Sequence, residues 1–183
     1  MNSSANTFQQ NSTPPQAGEA GLNQGASPGV VDLENPGSDK KTYSVLMADD
    51  SADDRYFLRR AMDDCARFNP VGEVEDGAEA IAYLQGEGQF ADRSKYAMPD
   101  LLLLDLKMPR ATGYDVLEWL KTKSFPSLTV AVLSGSVLES DKEKCQQLGA
   151  HAYFTKCASI SQIKVILQKV ENMLDHSLHA QAA

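Results

Sequence analysis

The chain has 183 residues, 42% of them hydrophobic, and carries 17 Lys and Arg against 25 Asp and Glu, for a formal net charge of −8. That size suits one ordinary domain with a flexible extension rather than two domains. No stretch approaches the roughly 18 uncharged apolar residues of a membrane span, and an acidic chain without a basic stripe opposes binding to a nucleic-acid backbone, so the reading is no membrane and no nucleic acid.

The N-terminal run MNSSANTFQQNSTPPQ has neither a basic n-region nor an apolar h-region, which leaves the cytoplasm as the expected location. Residues 1–41 are built from Asn, Gln, Ser, Pro, Gly and Ala, a composition that buries too little surface to offset the entropy of ordering. They are expected to form a disordered tail. Cys65, Cys145 and Cys157 are an odd count without CxxC spacing and fit reduced thiols.

From Thr42 onward short apolar runs alternate with amphipathic segments. The runs at 42–48, 70–75, 100–104, 128–133 and 150–155 predict strands, several of them apolar almost throughout, as strands covered on both faces are. Between them Ser51 caps a predicted helix with Leu58, Ala61, Met62 and Cys65 on one face. Asp76 with Glu79 starts a second helix carrying Ala80, Ile81 and Leu84. Gly113 opens a third with Val116, Leu117 and Leu120, and a fourth holds Cys145 and Leu148 and stops at Gly149. Ser159 and Gln162 begin the last, with Ile160, Ile163, Leu167, Val170 and Leu174 inward.

Five strands alternating with five helices predict an α/β fold, a doubly wound parallel sheet, because parallel strands require crossover connections. Such sheets bind ligands beyond the carboxyl ends of their strands. The residues expected there are Asp49 and Asp50 after the first strand, Asp105 after the third, Ser134 after the fourth and Lys156 after the fifth. Clustered carboxylates repel one another unless a cation neutralises them, and Mg²⁺ suits oxygen donors of this kind. An aspartate can also act as a covalent nucleophile towards a phosphoryl group, with metal, lysine and hydroxyl stabilising its oxygens.

The runs MADDS, LLLLDLKMPRATG, VLSGS and AYFTK, in that order and spacing, resemble the CheY-like receiver domains of bacterial response regulators over about residues 42–175. The resemblance implies a flavodoxin-like sheet of order 2-1-3-4-5. It also implies that Asp105 is the phosphoacceptor, that Asp49, Asp50, Asp105 and the Lys107 carbonyl serve Mg²⁺, and that Lys156 is the family's cation. Ser134 takes the position of the moving hydroxyl, followed by the small Gly135, and Tyr153 that of the switch aromatic. A sensor histidine kinase or a histidine phosphotransfer protein is then the donor. The chain would be a self-phosphorylating acceptor, open to autodephosphorylation, rather than a conventional turnover enzyme.

After residue 175 only HSLHAQAA remains, read as a short C-terminal tail, so the expected protein is a single-domain regulator signalling through contact with another protein. The arrangement leaves room for a homodimer through the last helix and strand. The long connection GEGQFADRSKYAMP resembles that of regulators that partner phytochromes. The sequence departs from the family at Lys156-Cys157, where Lys-Pro with a cis bond is usual, and this puts the reach of Lys156 in question. A flavodoxin is disfavoured because ADDSADD repels a flavin phosphate. The DxD acid pair of aspartate phosphatases is broken by Lys107. The remaining rival is a degenerate receiver that binds partners without phosphorylation.

Overall fold

The computed structural model describes residues 41–181, so the expected tail lies outside the described residues except for Lys41. The elements in chain order are β1 (Tyr43–Ala48), α1 (Ala52–Asp63), β2 (Phe68–Val74), α2 (Gly77–Gln85), a 3-10 turn (Gly88–Phe90), β3 (Leu101–Leu104), α3 (Gly113–Lys121), β4 (Thr129–Ser134), α4 (Glu139–Gln147), β5 (Ala152–Thr155) and α5 (Ile160–Gln181). All strand pairs are parallel, as the alternation of strands and helices predicts, and the order is β2-β1-β3-β4-β5, as the resemblance implies.

The period of two along each strand sorts the core into two layers. Leu46, Ala48, Leu102, Leu104, Val130 and Val132 face α2, α3 and α4 with Ala80, Tyr83, Val116, Leu117 and Cys145. Val45, Met47, Leu101, Leu103, Ala131 and Leu133 face α1 and α5 with Leu58, Met62, Ile163, Leu167 and Val170. The four leucines of β3, the middle strand, are all buried, each worth about 2 kcal/mol of apolar transfer. A strand this apolar can serve only where both faces are covered, which is why the first polar residue, Asp105, stands beyond the end of β3 rather than within it.

Several local expectations need correction. β2 starts at Phe68 rather than residue 70, because Phe68 is opposite Tyr43 and buried against it. As an edge strand β2 tolerates Pro70, and the register slips at Val71, so that Val45 faces Pro70 and Leu46 faces Gly72. Cys65 lies beyond α1 and is only half-buried. Tyr83, rather than Ile81, is fully buried in α2 beside Ala80, and Gly72 makes room for it: a Cβ there would lie 2.5 Å from the ring. The last helix continues to Gln181, since residues 176–181 contain no Gly or Pro to stop it, so the expected C-terminal tail is largely helix.

The long connection before β3 is a packed layer. Tyr83, Phe90 and Tyr96 sit with ring centroids 5.1–5.9 Å apart, and the Tyr83 hydroxyl donates to the carbonyls of Val71 and Ala97. Arg93 donates to the Leu84 carbonyl at the end of α2 (2.8 Å).

Candidate functional site

Asp49 leaves β1 with its backbone N–H still donated to the Val74 carbonyl (3.1 Å), so it is held by the sheet although it lies past the strand. Its carboxylate accepts the Ser51 N–H (3.0 Å), and the Ser51 hydroxyl in turn accepts from Asp54 N (3.2 Å), which caps α1 as predicted. Asp49 is buried and Asp50 is exposed. Beneath them Arg55 is buried; its guanidinium donates to the Asp49 carbonyl and pairs with Glu73 (3.3 Å) and Glu75 (2.8 Å).

Asp105 is held in the same way: its N–H donates to the Ala48 carbonyl (2.8 Å), and its carboxylate accepts Leu106 N–H (2.8 Å). The loop that follows doubles back against Asp105, because Gly113 N–H donates to the Leu106 carbonyl (3.1 Å) and a Cβ on Gly113 would stand 2.2 Å from the Asp105 carbonyl oxygen. Arg110, with φ of 60°, pairs with the buried Asp76 and with Glu79 (3.3 Å), fastening this loop to α2. Lys107 is exposed, two residues past Asp105.

The structure brings Asp49, Asp50 and Asp105 together, with one carboxylate oxygen from each lying within 4.8 Å of the others. Lys156 also arrives. No cis peptide occurs among the described residues, so Lys156-Cys157 is trans, and the ammonium still reaches Asp49 (2.8 Å) and Asp105 (3.2 Å). It also reaches Asp54 (2.8 Å), which the sequence reading missed. The signal was the repeated acid pair in ADDSADDR: with Ser51 as cap, Asp54 falls on the first turn of α1, beside the strand ends.

Three carboxylates thus meet one ammonium, and a fourth, Asp50, lies beside two of them. Burial pushes the Asp49 carboxyl above the usual carboxylate range, although its hydrogen bond to Lys156 pulls it back. Burial lowers the Lys156 ammonium, but its hydrogen bonds to Asp49 and Asp54 outweigh that and hold it above the ordinary lysine value. Lys156 therefore stays charged at neutral pH, and the acids remain under-neutralised. Hard oxygen donors in excess of the local positive charge fit a divalent cation such as Mg²⁺.

Ser134 is fully buried at the end of β4, and its hydroxyl accepts from Ser136 N–H (3.2 Å). Tyr153 is half-buried and donates to the Ser136 carbonyl (2.9 Å). Ser136, not singled out in the sequence, therefore joins the two, and its own hydroxyl donates to Asp141 at the start of α4. A Cβ on Gly135 would meet nothing within 4 Å.

A stability prediction follows from Asp49. A carboxyl whose folded pKa is raised contributes stability that is present below its unfolded pKa and lost as pH rises through the folded value, so charged Asp49 costs stability at pH 7. Asp49→Asn is expected to be more stable than wild type by about 1 kcal/mol at pH 7 without divalent cations, a rise of about 3 °C in Tm. The gain should vanish towards pH 3; a thermal melt series across pH checks it, and an unchanged gain at low pH would contradict it.

Comparison with known proteins accords with this geometry. Residues 45–168 match the family described as the response regulator receiver domain. The response regulator Rcp1 of Synechocystis is 26% identical over 129 residues, spanning 70% of this chain and 86% of Rcp1. The two-component response regulator ARR3 of Arabidopsis thaliana is 29% identical over 143 residues, 74% of this chain but only 59% of ARR3. Among solved structures, the phosphorylated cyanobacterial phytochrome response regulator RcpA superposes with a TM-score of 0.62 at 33% identity, covering 73% of this chain and 94% of RcpA. The Mn²⁺-bound form of Rcp1 superposes with a TM-score of 0.59 at 26% identity, covering 70% of this chain and 91% of that one. Among the described residues no helix is long and apolar enough to cross a membrane.

Proposed function

Because the chain belongs to the response regulator receiver domain family, we propose that it is a phosphoacceptor of a two-component phosphorelay, with Asp105 as the accepting residue. The observation that carries this reading is the meeting of Asp49, Asp50 and Asp105 within 4.8 Å beside a lysine ammonium 3.2 Å from Asp105. In the transfer an Asp105 oxygen attacks phosphorus, the bond from phosphorus to the donor histidine nitrogen breaks, and the electron pair leaves with the imidazole. Lys156 faces the incoming phosphoryl oxygens, and Leu106 N–H keeps the other Asp105 oxygen oriented.

Asp49, Asp50, Asp105 and the Lys107 carbonyl would hold Mg²⁺, in keeping with the Mn²⁺-bound form of Rcp1. When bound, Mg²⁺ supplies neutralisation of the charge on the transferred phosphoryl oxygens. Ser134 then turns towards the phosphoryl group and gives up Ser136 N–H; through Ser136 this releases Tyr153 and the start of α4. The face formed by α4 and β5 changes, and a downstream protein or a second copy of the chain reads it.

The donor is a sensor histidine kinase or a histidine phosphotransfer protein, met in the cytoplasm. The coverage of 86% of Rcp1 and 94% of RcpA supports a single-domain regulator of the phytochrome-partner type. The test is intact mass after incubation with acetyl phosphate. A gain of one phosphoryl group that requires Mg²⁺ is expected. No gain from acetyl phosphate or from a competent histidine kinase would sink the proposal and favour a receiver that binds without phosphorylation.

A further inference from the structure

Phosphoryl transfer calls for a lysine facing Asp105, and Lys156 meets that need through Asp105 and Asp49; its third partner is surplus to it. Asp54 Oδ2 lies 2.8 Å from the ammonium, as close as Asp49 and closer than Asp105 at 3.2 Å. Its setting is different. The Asp49 and Asp105 side chains are 3% and 5% exposed, whereas that of Asp54 is 41% exposed. Asp54 also stands outside the group of carboxylates, Asp49, Asp50 and Asp105, that would share a cation.

Asp54 is firmly placed. Its N–H is capped by Ser51, whose own N–H is bound by Asp49, and the next residue, Arg55, grips the Asp49 carbonyl. The first turn of α1 is thus tied to Asp49 on one side and to Lys156, just past β5, on the other. An acid in a first turn also complements the helix dipole, but Asp53 offers one on the same turn, and it is Asp54 whose carboxylate meets Lys156.

On the receiver reading above, we infer that Asp54 is a positioning residue for Lys156: it keeps the ammonium at the rim of the pocket when Asp49 and Asp105 turn to a divalent cation and a phosphoryl group. With only Asp49 and Asp105 as partners, the ammonium would compete with the cation for both. Asp54 offers it a place to stay within one small movement, close enough to Asp105 to meet the phosphoryl oxygens. The effect runs through Lys156, so it must disappear when Lys156 is removed.

The experiment is a double-mutant cycle on the full chain: wild type, Asp54→Asn, Lys156→Met and the double variant, each confirmed folded by thermal melting. Mg²⁺ affinity is read by calorimetry and phosphoryl uptake from acetyl phosphate by intact mass. Asp54→Asn is expected to weaken Mg²⁺ binding and slow uptake by about three- to tenfold, and in the Lys156→Met background to change either by less than about twofold. An undiminished effect in that background would mean that Asp54 acts on the cation through space, and no effect in wild type would mean that it does not act; either overturns the inference. A wild type that takes no phosphoryl group would sink the receiver reading alone, and the Mg²⁺ titrations would still decide the role of Asp54.

Discussion

Asp105→Asn is expected to abolish phosphoryl uptake from acetyl phosphate, a loss of at least about a hundredfold in initial rate, while the protein stays folded. The amide is almost isosteric with the carboxylate and can still accept Leu106 N–H, so the loop 105–112 keeps its course. What it lacks is the anionic oxygen that the proposed function assigns to attack on phosphorus. Removing one of the buried acids that crowd Lys156 also lowers repulsion, so the variant should melt no lower than wild type in the absence of Mg²⁺. Intact mass and a melting curve on the same sample test both halves. Uptake that persists in the variant would point to Asp49, Asp50 or Asp54, all within the same pocket, and would displace Asp105 from its assigned role.

The second large effect is expected at a residue with no reactive group. Gly113→Ala would place a methyl carbon 2.2 Å from the Asp105 carbonyl oxygen and 2.8 Å from the Leu106 Cα. Both are backbone atoms of a segment already fixed by the Ala48 and Gly113 hydrogen bonds, so no side chain can turn aside to relieve the clash. The first turn of α3 must move away from the end of β3. A loss of about 2–3 kcal/mol in stability is expected, together with a fall of more than about tenfold in phosphoryl uptake, because Asp105 shifts with its backbone. Helix propensity alone predicts the opposite sign, since Ala is better than Gly in a helix by about 1 kcal/mol. Denaturant unfolding therefore separates the two: a stabilised Gly113→Ala would show that α3 does not need the close approach.

Much of this was legible in the chain itself. The four leucines at 101–104 and the strand-end acids could be read because a strand buried on both faces has one kind of sequence, and its first polar residue marks where it leaves the core. The caps at Ser51 and Asp76 were readable because capping is local, a side chain bonding a backbone N–H three residues on. Arg55 and Gly72 were not. Arg55 looks like one more charge on an exposed helix, and only its burial against Glu73 and Glu75, residues on or just past β2, makes it an anchor for Asp49. Gly72 needs Tyr83 to be in place before its missing side chain means anything.

Sequence alone determined the order of strands and helices, the two-faced core and the set of acids, hydroxyl and lysine at one pole, since periodicity and capping act over a few residues. Which of these groups touch was decided by the tertiary structure. The reach of Lys156 across a trans Lys156-Cys157 bond, its third partner in Asp54, and the Ser136 link between Ser134 and Tyr153 all join elements far apart in the chain. Such contacts depend on how parallel strands stagger and how closely helix ends approach them, and those distances exist only once the whole sheet has formed.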